Sequence, residues 1–347
     1  MDETKSNAKI WYHRLRRGLC WVIPIIVLYF IFQSIDFVKF KLSITQTNPW
    51  LVVLGLAHAP LLILIGTLRW RYLLMQYHRL SISLNFALKH YWIGLALGFF
   101  SPASLGLDAY RVVISGRRFG RYTLNTAIII VEKLMALVTC MSIIVVLYPL
   151  VPIAVTSEIK KVFYLAYILL FVSTFLIAAI IIALRNRVLN LLLKRLELYF
   201  AGALERILGR LGLGNKAKTT KIPLREMMGP LANLKVIGII ALSFGIQFVS
   251  AVKSQIFFCA LGYDLPFIVN LFAAPTLYFI FFLPISLGSI GIREGVYILL
   301  YGLFGVPVEI ALLVSFFNLS GMLLNNAIGG LTMLFSRSRE DMREIAS

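Results

Sequence analysis

The sequence predicts an all-α, polytopic helical membrane protein, and three observations carry that prediction. Hydrophobic residues make up 60% of the chain and charged residues 14%, with a mean hydropathy of +0.87; a soluble domain of that balance would expose large apolar patches. Stretches free of Asp, Glu, Lys and Arg run over 18–35, 42–68, 90–107, 134–157, 162–184, 236–252, 265–292 and 310–336, and a helix needs roughly 20 apolar residues to cross a hydrocarbon core of about 30 Å. Finally, 27 of the 34 Lys and Arg residues fall in 1–17, 69–89, 108–121, 185–235 and 337–347. The positive-inside bias assigns those segments to the cytoplasm. That explains the formal net charge of +19 without nucleic acid as a partner.

The elements follow in order from these assignments. Residues 1–17 form a cytoplasmic tail. The run 18–35 stays as an anchor, because no small-x-small cleavage site follows IPIIVLYFIFQSI. The run 42–68 crosses back. Residues 90–107 lie between two cytoplasmic segments, so they enter and return, with SPASLG as the break of a re-entrant hairpin; such a break is tolerated only where protein or a watery cavity surrounds the freed backbone. Residues 122–150 cross outward, 162–184 cross inward, and 236–261 cross outward to GYDLP. The run 266–292 is then a second re-entrant hairpin, followed by a short helix through Gly305 and a last crossing at 310–336.

This amounts to six full spans and two re-entrant, broken-helix hairpins. Each half reads span, span, hairpin, short helix, span, in opposite orientations, which is an inverted-topology repeat of the kind that builds transporters around a midplane site. The first repeat covers 18–150; the second starts with the fifth apolar span in 151–184 and resumes over 236–336. Between them, 185–235 is a basic amphipathic cytoplasmic loop. Leu189, Leu192, Leu193, Leu196, Phe200 and Leu204 recur there at helical spacing between Arg187, Lys194, Arg195 and Arg206. It either lies on anionic lipid or only fixes orientation. Residues 212–223 read as a linker, and 337–347 as a cytoplasmic tail.

The phrase Pro-x-Ser-Leu-Gly is written twice, in SPASLGLDAYR and LPISLGSIGIREG, each time followed by a base and an acid. Ionisable residues within a bilayer are expensive and face a cavity or a partner. The candidates for lipid-headgroup binding are Gly106, Asp108, Arg111, Glu132 and Lys133 around the first break, and Ser286, Gly288, Gly291, Arg293 and Glu294 around the second. Asp108 and Arg111 share a helix face as a possible ion pair. Asp108 is either the N-cap of a basic helix 108–117 or part of a phosphate site made by a helix start freed at Gly106, with Arg111 adding its fork of donors. Glu132 and Lys133 point to different sides, so at least one needs a partner in the bundle. Arg293 and Glu294 either snorkel at the outer surface or bind.

Asn318, Asn325, Asn326, Gln247 and Gln255 are read as helix–helix hydrogen bonds, and His58 as a packing or hydrogen-bonding residue. Cys20, Cys140 and Cys259 fall in apolar segments without CxxC spacing and read as packing residues. No nucleotide loop, HExxH or GxSxG motif occurs, so no cofactor, metal or enzyme activity is expected.

SPASLGLDAYRVVISGRRFG with TLNTAIIIVEKLMAL, then LPISLGSIGIREGVYILLYGLFGVPVEIALLVS and NNAIGGL, resembles the lysylphosphatidylglycerol synthase transmembrane family, a flippase-like integral membrane domain, over roughly 15–336. The family's Pro-Ile-Ser-x-Gly-x-x-Gly-x-Arg-Glu-Gly matches at Pro284, Ile285, Ser286, Gly288, Gly291, Arg293, Glu294 and Gly295. Its Gly-Gly-Asp-x-x-Arg appears as Gly106, Leu107, Asp108 and Arg111, with Leu107 in place of a glycine, and its Glu-Arg pair as Glu132 and Lys133. Asn318 stands where many members carry a base. The resemblance implies movement of an anionic or modified lipid between leaflets, and the charge pattern makes this a multi-pass protein of the cell membrane with both termini cytoplasmic. Full-length synthases add a soluble C-terminal aminoacyltransferase domain, which is not expected in this chain. The expectation is a lipid translocase with membrane lipids as partners. The alternatives are an intramembrane accessory subunit or enzyme of glycolipid or aminoacyl-lipid synthesis, and a non-transporting scaffold for a partner transferase.

Overall fold

The computed structural model describes residues 35–99, 101, 105–152, 235–282 and 291–345, with a few isolated positions besides. The spans expected at 18–35 and 162–184, the loop 185–235, and Ser286 and Gly288 of the second break lie outside the described residues, isolated positions apart. The described residues are helical and contain no strand: α1 Phe37–Thr45, α2 Pro49–His78, α3 Leu84–Gly98, α4 Leu105–Phe119, α5 Tyr122–Leu147, α6 Lys235–Ala260, α7 Phe267–Phe282, α8 Ile292–Gly302 and α9 Val308–Ile345. Among the described residues, four helices are long and apolar enough to cross a membrane, within Pro49–His78, Tyr122–Leu150, Ile237–Ala260 and Val308–Ser336.

Helix boundaries depart from the apolar runs in two places. The run 42–68 is not one element: the Asn48 side chain accepts the N–H groups of Trp50 at 3.0 Å and Leu51 at 3.4 Å, and with Pro49 at the first helical position it starts α2 afresh. Nor does that helix stop at Arg69. Trp70, Leu73, Leu74 and Tyr77 continue a buried face at helical spacing to His78, which carries Arg69 into the bundle instead of into a cytoplasmic loop. At the other end of the chain, α9 runs on to Ile345, past the expected limit of 336.

α3 and α4 have 15 residues each, about 22 Å at 1.5 Å per residue, and neither alone reaches across a bilayer core. They pack on each other as a hairpin. A Cβ on Gly98 would lie 2.6 Å from the Leu107 backbone nitrogen, and one on Gly106 would lie 2.8 Å from the Gly98 Cα, so this crossing requires glycines on both arms. The glycine at 106 thus serves close approach inside α4, not a loosened backbone. Its N–H donates to Ser101 Oγ at 2.8 Å.

The packing has a two-fold pattern. Setting α2, α3, α4 and α5 against α6, α7, α8 and α9, every contact in one set has its counterpart in the other: α2–α3 and α6–α7, α3–α4 and α7–α8, α4–α5 and α8–α9, α2–α5 and α6–α9. The contacts between halves pair likewise, α3–α9 with α7–α5 and α2–α9 with α6–α5, while α2 and α6 meet each other. Gly55 lies against Phe257, Ile65 against Gly245, and Tyr72 against Gly238. As numbers rise along α2 they fall along α6, so the two helices are antiparallel. A two-fold axis relating antiparallel membrane helices lies across them, which makes the repeat inverted.

Candidate functional site

Five charged side chains meet where α2, α4 and α5 pack. Glu132 on α5, 2% exposed, accepts from Arg69 Nη2 on α2 at 2.9 Å through Oε1, and from Arg111 Nη1 on α4 at 2.9 Å through Oε2. Arg111, 3% exposed, also donates through Nη2 to Asp108 Oδ1 at 2.6 Å. The other oxygen of Asp108 lies 2.5 Å from Lys133 Nζ. The chain of contacts is therefore base, acid, base, acid, base. Arg69 Nη1 further donates to Ser243 Oγ on α6 at 3.2 Å, and the Arg111 guanidinium sits 5.0 Å from the Tyr91 ring centroid and 5.5 Å from that of Trp70, within cation–π range. Lys133 lies 5.3 Å over the Phe282 ring at the end of α7, so the cluster borders the second break.

Local sequence explains the placement. Asp108 and Arg111 are one turn apart on α4, as their spacing requires, but α4 begins at Leu105, so Asp108 stands in the first turn and is not the N-cap. Glu132 and Lys133 diverge on α5, and each finds a partner on another helix. The turn before α5 places them: Gly120 and Arg121 take left-handed backbone, and Asn125 Nδ2 donates to the Gly120 carbonyl at 2.9 Å.

At the second break, Gly291 has φ 84°, a conformation that favours glycine, and its N–H donates to Glu294 Oε2 at 2.6 Å. Glu294 is 1% exposed and thus does not snorkel. Arg293 is half-buried, donates to Met322 Sδ at 3.1 Å and stacks 5.6 Å over Phe281. α8 is tied down by Tyr301, whose hydroxyl donates to Asn270 Oδ1 at 2.8 Å, while Asn270 Nδ2 donates to Gln255 Oε1 at 2.6 Å.

A family model for the lysylphosphatidylglycerol synthase TM region matches residues 19–318, a stretch that contains both breaks and every charged side chain described above. The chain belongs to that family. No curated protein and no solved structure gives a significant match. Within this synthase-TM family member, the structure gathers Asp108, Arg111, Glu132 and Lys133 into one cluster, whereas Arg293 and Glu294 stand apart from it.

Arg69 and Lys253 were missed by the sequence reading. The positive-inside bias puts Arg69 at the edge of a loop, although the apolar spacing of Trp70, Leu73, Leu74 and Tyr77 signals that the helix continues. Lys253 stands alone in the apolar stretch FVSAVKSQIFF, and an ionisable residue there is a site candidate by default. Among the amides, Gln247 donates to Cys140 Sγ at 3.2 Å and Asn325 to the Ala59 carbonyl at 3.0 Å, both between helices. Asn318 and Asn326 instead donate to Val314 and Met322 carbonyls of their own helix. His58 contacts the Leu54 carbonyl through Nδ1 at 2.8 Å.

Proposed function

We propose that the protein is a lipid translocase that carries an anionic or modified phospholipid, or a polyprenyl-linked lipid, between the leaflets of the cell membrane, with both termini cytoplasmic. The observation that carries the reading is the buried cluster of Arg69, Asp108, Arg111, Glu132 and Lys133, built on a hairpin too short to cross. A charged network at that depth gives a polar headgroup an alternative to hydrocarbon, while the acyl chains stay in lipid. Family membership and the inverted repeat point the same way. Asp108 and Glu132 each contact two bases, so their carboxylates are committed to ion pairs and neither is presented to a reacting atom as an acid or base.

Purified protein reconstituted into liposomes with a headgroup-labelled phosphatidylglycerol tests the reading. A membrane-impermeant quencher should reach only the outer-leaflet label in empty vesicles and nearly all of it in protein-containing ones. Arg111→Gln with Arg293→Gln, in protein shown by its melt to be folded, should abolish the difference. Equal quenching in protein-free and protein-containing vesicles would overturn it.

A further inference from the structure

Among the described residues, the second half holds bases that its acids do not neutralise. Lys253 on α6 is 8% exposed, and among the described residues no carboxylate lies within ion-pair distance of it. Its helix meets α8 where the Phe258 and Tyr301 ring centroids stand 4.9 Å apart, and α8 carries a second cation, Arg293. Among the described residues the hydrogen-bond acceptor of Arg293 is a thioether, a weak one, whereas Arg69 and Arg111 both bond a carboxylate. The carboxylate next in sequence, Glu294, accepts the Gly291 N–H through Oε2, and its buried Oε1 has no hydrogen bond among the described residues.

The repeat shows what is missing. Phe119-Gly120 precedes α5 and Phe304-Gly305 precedes α9, both glycines at positive φ. Counted from these turns, Phe317 stands where Glu132 stands, and Arg293 where Asp108 stands. Counted back from the left-handed residues Arg79 and Gly262, which follow α2 and α6, Lys253 falls within one residue of the place of Arg69. The second half therefore keeps a base near the place of Arg69, sets the base Arg293 at the place of an acid, and has an aromatic ring at the place of Glu132. Cations held in one bundle without a paired acid repel and persist when an anion joins them.

We propose that Lys253 and Arg293, beside the face of α9 that carries Asn318 and Met322, bind one oxyanion of the phosphodiester or phosphate class, which fills the part that Glu132 plays in the first half. The inference deepens the proposed function and rests on it for the source of the anion, a lipid headgroup. The test uses the full chain in detergent, with native mass spectrometry and thermal melting as readouts. The probes are phosphatidylglycerol, a diacylglycerol of the same chains, and inorganic phosphate.

The expected result is retention of phosphatidylglycerol over diacylglycerol, with affinity falling on the order of thirtyfold or more in Lys253→Gln and Arg293→Gln. Asn318→Asp, which supplies an internal acid, should also lose the lipid while melting no lower than the wild type. If inorganic phosphate binds as tightly as the lipid and loses affinity in the same variants, the oxyanion site stands and the lipid source falls, together with the translocase reading. Lipid binding that depends on both bases without label movement in the liposome assay also removes translocation and leaves the site. Wild-type affinity for both phosphatidylglycerol and phosphate in Lys253→Gln and Arg293→Gln, or in Asn318→Asp, would overturn the proposal.

Discussion

The two halves of this molecule share a packing plan and differ in how they balance buried charge. In the first, Arg69 and Arg111 share Glu132, and Asp108 bridges Arg111 and Lys133. In the second, Lys253 and Arg293 have no described acid between them, and Glu294 caps the start of α8. One architecture can thus hold a self-sufficient polar core on one side and a site that awaits a counter-ion on the other. The stacking partner is kept in both: Arg111 on α4 sits over Tyr91 of α3, and Arg293 on α8 over Phe281 of α7.

The comparison is broken most strongly by removing the shared acid. Glu132→Gln leaves two buried guanidinium groups without a carboxylate and should cost about 3–5 kcal/mol, measured by denaturant unfolding in detergent. Lys253→Met in the same lipid-free assay should do the opposite, with a gain of up to about 3 kcal/mol, because it removes a buried cation that has nothing to pair with. A loss of similar size in both variants would erase the distinction between the halves.

Next in size is the docking of the first hairpin on α9. A Cβ at Gly329 would collide with the Trp92 carbonyl on α3, while at Gly330 it would meet nothing within 4 Å. Gly329→Leu should therefore destabilise by about 1–3 kcal/mol, and Gly330→Leu should change the melt by no more than about 0.5 kcal/mol. The smallest effect is expected at Asn325→Leu, which removes one interhelical hydrogen bond to Ala59 and should cost about 0.6 kcal/mol.

Much of the fold was legible because it rests on patterns that membranes enforce: apolar run length, basic loops, and a phrase repeated at two breaks. The Asp108–Arg111 pair followed from spacing on one helix face, and the divergence of Glu132 and Lys133 required partners elsewhere. Helix limits were less legible, because a charge was read as the end of a span. In α2 the buried face of Trp70, Leu73, Leu74 and Tyr77 overrides that signal, and Arg69 is carried inside. The role of Gly106 was also hidden, since a glycine that permits close approach and one that frees a turn look alike in sequence; only the position of Gly98 against it decides. The contrast between the halves needed the register between repeats, which places Phe317 opposite Glu132.

The most direct test of that contrast is a thermal-shift titration of wild type and Lys253→Gln with phosphatidylglycerol. A ligand that binds the folded state raises its melting temperature, with a stabilisation that grows as the logarithm of ligand concentration over Kd. The wild type should start lower and climb with added lipid, while Lys253→Gln should start higher and stay flat. Parallel curves for the two proteins would contradict the account.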